Sequence, residues 1–300
     1  MDDKEIFRVA AEFQRMDPAG LYTAEVLRAT LDQLYDGQRT GRFRWSQLHK
    51  TEKTHCGTLV EINLHRRFKF ADGQLLDYKI VGIEVDCKYS QTLGGWMVPP
   101  EAVDQICLLV WANDEQSVWS LGLVRATQDK LTAGKNRDLK ASLSAIGVGQ
   151  IHWLFERAAL PPNILLQMDQ EVVEKIMRLK SGVKRLNELF RQALGLRVTR
   201  GVVATVAQQD DYMKRIRENG GARSELRPEG IVILGQYLSH VQVAKDLGVA
   251  VPQAGESVAV RLTPATKAAR GVVRLEDRLW KIAQAGDPVV SAPRLPKANG

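Results

Sequence analysis

Two aspartates and a lysine form the pattern in this sequence that is best suited to chemistry. Asp77 and Asp86 have eight residues between them, and Lys88 follows Asp86 by two positions. Residues two apart in a strand leave the same face, so Asp86 and Lys88 should point the same way. Asp77 can join them from the end of a neighbouring strand. The pattern therefore predicts two carboxylates and an ammonium group at one point of a sheet.

Such a group has a recognised chemistry. Hard divalent cations such as Mg²⁺ take oxygen ligands and keep several waters, so two or three carboxylates suffice. A lysine beside the ion can position or deprotonate an attacking water and offset charge on a reacting phosphate. This arrangement is typical of many DNA-cutting enzymes. The pattern alone leaves open a plain alternative, a solvated polar strand face, because Asp-x-Lys is frequent by chance.

Two neighbours of these residues receive separate interpretations. Glu84 leaves the same strand face as Asp86. We expect it to be solvated or to act through its neighbours rather than as a metal ligand. Cys87 points to the opposite, apolar face, and we expect it to be a small core residue.

The elements that must position these residues follow from hydrophobic periodicity. Apolar residues recur three and four apart over 5–15 and 24–34, which predicts two helices. The run 58–64 is too short to distinguish a strand from a helix. Strands are predicted over 68–70 and 75–81 around an Asp-Gly turn, and over 82–90, 105–111 and 118–125. Strands mixed with flanking helices predict an α/β domain with a mixed sheet.

Charge is distributed unevenly between the two halves of the chain. Residues 1–160 carry 20 Lys and Arg against 21 Asp and Glu, whereas residues 161–300 carry 22 against 14. The excess positive charge therefore lies wholly in the second half. The basic residues fall among structured, periodic segments, so the polyanion that they predict is nucleic acid rather than a membrane surface.

The second half reads as a separate DNA-binding domain. Pro161-Pro162-Asn163 is the predicted linker. Helices are predicted over 169–180, 183–193, 199–207 and 210–218, strands over 231–234 and 257–262 as a wing or small sheet, and a frayed tail from 283. The helix, four-residue turn and Thr199 N-cap before the next helix fit a helix-turn-helix.

Candidate DNA contacts are basic residues around that turn, together with the cap. Thr199 and Arg200 begin the second helix and are the best candidates for base edges, because arginine pairs bidentately with guanine. The others would contact phosphate, which gives affinity without sequence information. The full set is Lys184, Arg185, Arg197, Thr199, Arg200, Lys214 and Arg217.

Composition excludes several classes of protein. No window approaches the roughly 18 apolar residues of a membrane span. The start of the chain lacks the pattern of a secretory signal. Three cysteines without a C-x-x-C spacing suggest neither a disulfide framework nor a cysteine zinc site. We therefore expect a protein of the reducing cytoplasm that does not bind membranes.

The chain resembles the NaeI family of type II restriction endonucleases. The resemblance lies in residues 53–65, in Leu76-Asp77-Tyr78, in 83–90 with its Asp-Cys-Lys tripeptide, and in 200–209. It implies a homodimer whose subunits have a restriction-enzyme-like nuclease domain and a helix-turn-helix domain similar to that of the catabolite activator protein. These would be residues 1–160 and 163–300. It also implies that a second copy of a G·C-rich palindrome activates cleavage of the first.

The family's catalytic Glu, Asp, Asp and Lys fall on Glu61, Asp77, Asp86 and Lys88. We expect Asp77 and Asp86 to hold Mg²⁺, with Glu61 approaching the same ion or its waters. The leading hypothesis is thus a Mg²⁺-dependent homodimeric endonuclease that cuts both strands of double-stranded DNA at a palindrome. Its rivals are a sequence-specific DNA-binding protein with a degenerate nuclease domain and a repair-type nicking endonuclease.

Overall fold

A computed structural model describes residues 3–266 and 269–297 of the chain. Its α-helices are α1 (Lys4–Met16), α2 (Leu21–Tyr35), α3 (Gly37–Thr40), α4 (Lys50–Phe68), α5 (Ala145–Gly149), α6 (Ile164–Gln167), α7 (Gln170–Arg178), α8 (Gly182–Gln192), α9 (Arg200–Ala207), α10 (Ala222–Glu225) and α11 (Leu238–Leu247). Its strands are β1 (Ala71–Asp72), β2 (Tyr78–Ile80), β3 (Ile83–Ser90), β4 (Met97–Val98), β5 (Ile106–Asn113), β6 (Val118–Arg125), β7 (Leu131–Lys135), β8 (Ala141–Leu143), β9 (His152–Ala159), β10 (Arg197–Thr199), β11 (Ile231–Gly235), β12 (Glu256–Pro264), β13 (Val272–Leu275) and β14 (Arg278–Ile282).

The chain forms two compact units, and the residues after Pro162 all belong to the second. The first unit comprises the residues up to Tyr35 and Arg44–Pro162, and the second comprises Asp36–Phe43 and the residues from Asn163 onwards. The segment Asp36–Phe43 thus belongs to the second unit, although it lies within the predicted range 1–160. Gly37 packs so closely against α9 that a Cβ there would lie 2.0 Å from Thr205 Oγ1.

A six-stranded mixed sheet forms the centre of the first unit. Its strand order is β1-β2-β3-β5-β6-β9, in which β3 and β5 are parallel and the other pairs are antiparallel. A second sheet of order β4-β8-β7 is not hydrogen-bonded to it, and Val98 and Leu143 of that sheet share a buried core with Leu109 of β5. The predicted mixed α/β architecture is confirmed for this unit.

Strand β5 is buried on both faces, as its near-continuous apolar run predicts. Leu108 and Val110 contribute to the core that contains residues of α1, α2 and α4. Cys107 and Leu109 contribute to a second core around Trp96 on the other face. The alternation of β3 is likewise confirmed, because Ile83, Val85 and Cys87 join the first of these cores.

The helices of the first unit form where periodicity and capping agree. In α1, Asp3 accepts the backbone N–H groups of Glu5 and Ile6. The undecided run 58–64 lies inside α4, which buries Cys56, Val60 and Leu64 at intervals of four. The predicted strand over 68–70 is wrong, because Phe68 ends α4 and the strand begins at Ala71. The partner strand is confined to Tyr78–Ile80.

The second unit packs helices against a five-stranded sheet of order β10-β12-β14-β13, in which β11 also pairs with β12. The predicted helices α7, α8 and α9 are present, and Thr199 caps α9 by accepting the N–H of Val202 at 3.3 Å. The predicted turn between α8 and α9 is partly strand, since β10 pairs with β12. The α-helix predicted over 210–218 is replaced by a shorter 3-10 helix, Tyr212–Ile216.

The C-terminal segment also differs from its predicted frayed state. Ala292 is 2% exposed, and its N–H donates to the carbonyl of Arg227 at 2.8 Å. His240 contacts the carbonyl oxygen of Pro296 at 3.2 Å. These bonds attach the tail to the second unit. Among the helices of the described ranges, none combines the length and apolar character needed to cross a membrane.

Candidate functional site

The first predicted aspartate, Asp77, lies immediately before the start of strand β2 and beside β3. The last residue pair between the two strands is Tyr78 with Val85, and Asp77 precedes it. The carboxylate of Asp77 accepts the backbone N–H of Cys87 at 2.7 Å. A side chain from the loop before β2 therefore lies beside the strand that carries Asp86 and Lys88.

Lys88 joins both aspartates. Its Nζ donates to Asp86 Oδ1 at 2.7 Å and lies 3.6 Å from Asp77 Oδ2. Asp86 is the most buried of the three, with a side chain that is 5% exposed, against 22% for Lys88 and 24% for Asp77. The predicted convergence of two carboxylates and an ammonium group is thus present in the fold, and one side of the group is open to solvent.

Glu61 approaches this cluster from helix α4. Its backbone carbonyl accepts the hydroxyl of Tyr78 at 2.6 Å, which ties the helix to β2. Glu61 and Asp77 line one cavity of about 180 Å³, together with His65, Arg66 and Tyr78 among others. The structure thus places a third carboxylate at the cavity that Asp77 lines, on a helix rather than in the sheet.

Electrostatic coupling joins the four side chains. Burial raises the pKa of Asp86 to about 6, with Lys88 opposing the shift and Asp77 adding to it. Burial also raises the pKa of Glu61, and the negative charge of Asp77 contributes further. Burial acts to lower the pKa of Lys88, but the carboxylates of Asp86 and Asp77 outweigh it and raise that pKa overall. The cluster therefore holds concentrated negative charge that favours a cation.

The donor chemistry fits a hard divalent cation. Within residues 3–266 and 269–297, no three acidic, histidine or cysteine side chains are close enough together to hold a metal ion. The Lys88 ammonium instead pairs with both Asp77 and Asp86 and offsets one of their two negative charges. Proteins nevertheless commonly bind Mg²⁺ through only one or two carboxylates and several waters. Asp77 and Asp86 would therefore provide enough oxygen ligands. Glu61 could contribute through a water.

Two contacts around the cluster were not predicted from the sequence: Cys107 contacts Asp86, and Glu84 binds the loop that precedes Asp77. The thiol of Cys107, on β5, lies 3.9 Å from Asp86 Oδ2. The pairing of Asp86 with Cys107 across the parallel strands produces this contact. Glu84 turns away from Asp86 and accepts backbone N–H groups of the loop 74–76. Cys87 is a buried core residue as predicted, and burial raises the pKa of its thiol.

The candidate DNA-contact residues of the second unit occupy different surroundings. Lys184, Arg197, Arg200, Lys214 and Arg217 are exposed, whereas Thr199 and Arg185 are partly buried. Arg197 lies 3.6 Å from Glu256 on the paired strand. The hydroxyl oxygen of Thr199 is engaged as the cap of α9, and residues 202–207 of that helix are buried. Only the N-terminal end of α9 is therefore available to a ligand.

Arg185 has a clear role inside the unit. Its guanidinium donates to the carbonyls of Val206 at 2.5 Å, Ala207 at 2.7 Å and Leu179 at 2.8 Å. The first two bonds satisfy carbonyl groups at the C-terminal end of α9 that have no partner within the helix, and the third binds the residue that follows α7. We therefore leave Arg185 out of the DNA-contact surface.

Two of the predicted residues share a basic cavity. Arg200 and Arg217 line a space of about 270 Å³ with Arg223, Met213 and Tyr237, among other residues. Arg223 was not singled out from the sequence, because its place in this cavity depends on a distant contact, the bond from its Nε to the carbonyl of Ile233 at 3.0 Å. Lys184, Arg197, Thr199 and Lys214 do not line this cavity.

Comparison with known proteins identifies the family. The sequence matches the family described as "Restriction endonuclease NaeI" over residues 7–291. A curated protein of Lentzea aerocolonigenes, named "Type II restriction enzyme NaeI", is 50% identical over 305 residues, which cover 99% of this chain and 96% of that protein. The chain belongs to the NaeI restriction endonuclease family. The resemblance inferred from the sequence is confirmed. As a member of the NaeI family, the protein is a type II site-specific deoxyribonuclease.

Proposed function

We propose that this protein is a Mg²⁺-dependent type II restriction endonuclease that cuts both strands of DNA at a palindromic, G·C-rich site. We also propose that binding of a second copy of the site activates cleavage of the first. The convergence of Asp77, Asp86 and Lys88 in a member of the NaeI family is the observation that carries the proposal. The G·C-rich site and the activating copy rest on the family resemblance.

Asp77 and Asp86 would hold Mg²⁺, and Glu61 would contact the same ion or its waters. When bound, the ion supplies Lewis-acid activation of water and neutralises charge on the reacting phosphate. Cys87 fixes the Asp77 carboxylate through its N–H, and Cys107 contacts the second oxygen of Asp86. These contacts hold the two carboxylates in place before a cation arrives.

Lys88 would face the scissile phosphate once a cation occupies the carboxylates. Hydrolysis forms a bond between phosphorus and a water oxygen and breaks one phosphoester bond, and negative charge builds on the phosphate oxygens. A fixed ammonium group stabilises that charge and positions the attacking water. The raised pKa of Lys88 favours the charged form that this role requires.

The two halves of the chain would divide the work. We propose a nuclease domain that corresponds to residues 1–160 and a DNA-binding, effector domain with a helix-turn-helix similar to that of the catabolite activator protein at 163–300. The positive charge of the second half supports this division. Its proposed contact residues are Lys184, Arg197, Thr199, Arg200, Lys214, Arg217 and Arg223.

A homodimer follows from symmetry. A palindromic site has two-fold symmetry, and a two-fold enzyme presents one active site to each strand. We further propose that the enzyme works in the cytoplasm, where DNA is the substrate and thiols stay reduced. The three cysteines, Cys56, Cys87 and Cys107, are buried and unpaired, which agrees with that environment.

Incubation of a supercoiled plasmid of known sequence with the protein and Mg²⁺ tests the proposal. We expect discrete linear fragments whose ends map to one palindrome, and no cleavage when Mg²⁺ is chelated. A short uncleaved duplex with the same palindrome should accelerate cleavage of a plasmid that has a single site. Accumulation of nicked circles only would favour the nicking endonuclease, and binding without cleavage would favour the degenerate nuclease domain.

A further inference from the structure

The loop that carries Asp77 folds around a single carboxylate. Glu84, on β3, accepts the backbone N–H of Gln74 at 3.0 and 3.1 Å, one bond to each oxygen. Its Oε2 also accepts the N–H groups of Leu75 at 3.2 Å and Leu76 at 3.1 Å. Three successive amides that point at one anion form a compact concave turn. The Leu75 side chain is 82% exposed, so its burial does not hold the loop.

The start of the same loop admits only a glycine. A Cβ built on Gly73 would lie 2.0 Å from the carbonyl oxygen of Leu76 and 2.8 Å from Glu84 Oε2. The first of these distances is far below van der Waals contact with backbone, so a larger residue must displace the loop. Gly73 and Glu84 thus both restrict the loop to this conformation.

This conformation determines where Asp77 lies. Leu76, whose N–H Glu84 binds, is joined directly to Asp77, and Tyr78 on the other side begins β2. We propose that Glu84 is a positioning residue for Asp77, which holds the loop so that the Asp77 carboxylate meets the N–H of Cys87 and the ammonium of Lys88. This inference rests on the proposed catalytic role of Asp77.

Both oxygens of the Glu84 carboxylate are occupied by contacts that hold the loop. Both of its oxygens bind loop amides, and Oε1 also lies 3.4 Å from Lys79 Nζ. The amide bonds, that from Gln74 first, lower the pKa of Glu84 to about 2. Glu84 leaves the same strand face as Asp86, yet its oxygens are turned to the loop. It therefore supports the carboxylates that would hold the cation and is not one of them.

Hydrogen exchange of the full-length, metal-free and DNA-free protein tests the inference without reference to activity. In Glu84→Gln, the amide group cannot accept these N–H bonds as the carboxylate does. We expect the amides of residues 74–76, and the amide of Cys87 that Asp77 accepts, to exchange about tenfold faster or more. Gly73→Ala should produce the same change, because its Cβ would displace the loop from Glu84. Lys79→Met removes only the ammonium contact and should leave these amides protected.

Cleavage assays complete the test. Glu84→Gln and Gly73→Ala should cleave about 10- to 100-fold more slowly than the wild type at saturating DNA, because supporting residues of a metal site have effects of that size. Both should require more Mg²⁺ for half-maximal rate and should bind DNA with unchanged affinity. Lys79→Met should cleave at close to the wild-type rate.

Asp77→Asn, measured in parallel, separates this inference from the proposed function. An active Asp77→Asn variant would show that the proposed role of Asp77 is wrong, and with it the role of Glu84. If Asp77→Asn is inactive while Glu84→Gln keeps both its amide protection and its rate, the inference about Glu84 is overturned. Loss of protection with an unchanged rate in Glu84→Gln would overturn it equally.

Discussion

The N–H of Cys87 and the carboxylate of Asp77 are joined at 2.7 Å. The paired residues of β2 and β3 end at Tyr78 and Val85, so this bond extends the contact between the two chain segments beyond their last pair. It links the loop aspartate to the strand on which Asp86 and Lys88 point to one face. The candidate catalytic group therefore has two parts, Asp77 from the loop and the pair Asp86 and Lys88 from β3. Because the two parts come from different segments, each can be tested by its own substitution.

Lys88 should not tolerate replacement by arginine. The guanidinium keeps the positive charge but is planar and larger, so it cannot occupy the site 2.7 Å from Asp86 Oδ1 in the same way. Lys88→Arg should be nearly inactive in a single-turnover cleavage assay, whereas Lys79→Arg on β2 should retain its activity. Retained activity in Lys88→Arg would mean that Lys88 supplies only a diffuse positive field.

Arg185 should contribute to stability rather than to DNA affinity. Arg185→Met leaves the carbonyls of Val206, Ala207 and Leu179 without their donors. We expect a loss of about 2–3 kcal/mol in the free energy of unfolding, measured by urea denaturation. Lys184→Met, at the exposed neighbouring position, should change stability by less than about 0.5 kcal/mol. Equal stability of the two variants would contradict the capping role of Arg185.

The basic cavity of the second unit should bind phosphate. In the Asp86→Ala background, Arg217→Ala should weaken duplex binding and reduce the slope of log affinity against log salt by about 1, and Arg200→Ala, at the expected base contact, should weaken binding to the recognition site. Arg178→Ala is the matched control, because Arg178 is exposed on α7 and paired with Glu174 at 3.0 Å. Titration of labelled duplex at several salt concentrations measures the slopes. Identical slopes in all variants would remove this cavity from the DNA-binding surface.

His240 should make stability depend on pH. Its Nε2 contacts the Pro296 carbonyl, and its Nδ1 accepts the N–H of Gly235 at 3.1 Å, a bond that requires neutral imidazole. Burial lowers the pKa of His240, as does Arg223, and these two effects outweigh the Pro296 carbonyl and Glu218, which raise it. Because the folded pKa lies below the unfolded value of about 6.5, this contribution is complete above pH 6.5 and is lost as the pH falls below it.

Thermal unfolding between pH 8 and pH 5 measures this effect. The wild type should lose stability with acidification more steeply than His240→Gln, which cannot take up the proton. Parallel curves for the two proteins would show that His240 titrates alike in the folded and unfolded states.

Periodicity identified the strand that carries Asp86 and Lys88, because alternation over 83–90 is a local property of the sequence. The helix that carries Glu61 could not be distinguished from a strand, since the run 58–64 spans fewer than two helical turns. Its register becomes clear only over the whole of α4, where Cys56, Val60 and Leu64 share one buried face. The resemblance to the NaeI family, rather than periodicity, nominated Glu61.

Contacts between distant segments could not be predicted. Cys107 lies beside Asp86 only because β3 and β5 pair in one parallel register, which no local pattern specifies. Arg185 is indistinguishable from Lys184 in the sequence as a basic helical residue, yet the packing of α8 against α9 directs it to carbonyl groups. The assignment of Asp36–Phe43 to the second unit likewise depends on the close approach of Gly37 to Thr205.

The role of Asp86 is the central claim, and single-turnover cleavage by Asp86→Ala with Mg²⁺ tests it most directly. Asp86 joins Lys88 and Cys107 at the most buried point of the cluster. We expect cleavage to fall below detection while duplex affinity stays within a few-fold of the wild type, because affinity comes mainly from phosphate contacts elsewhere. Glu101→Ala, at an exposed acid of the same unit, should cleave normally. Cleavage by Asp86→Ala at the wild-type rate would contradict the account.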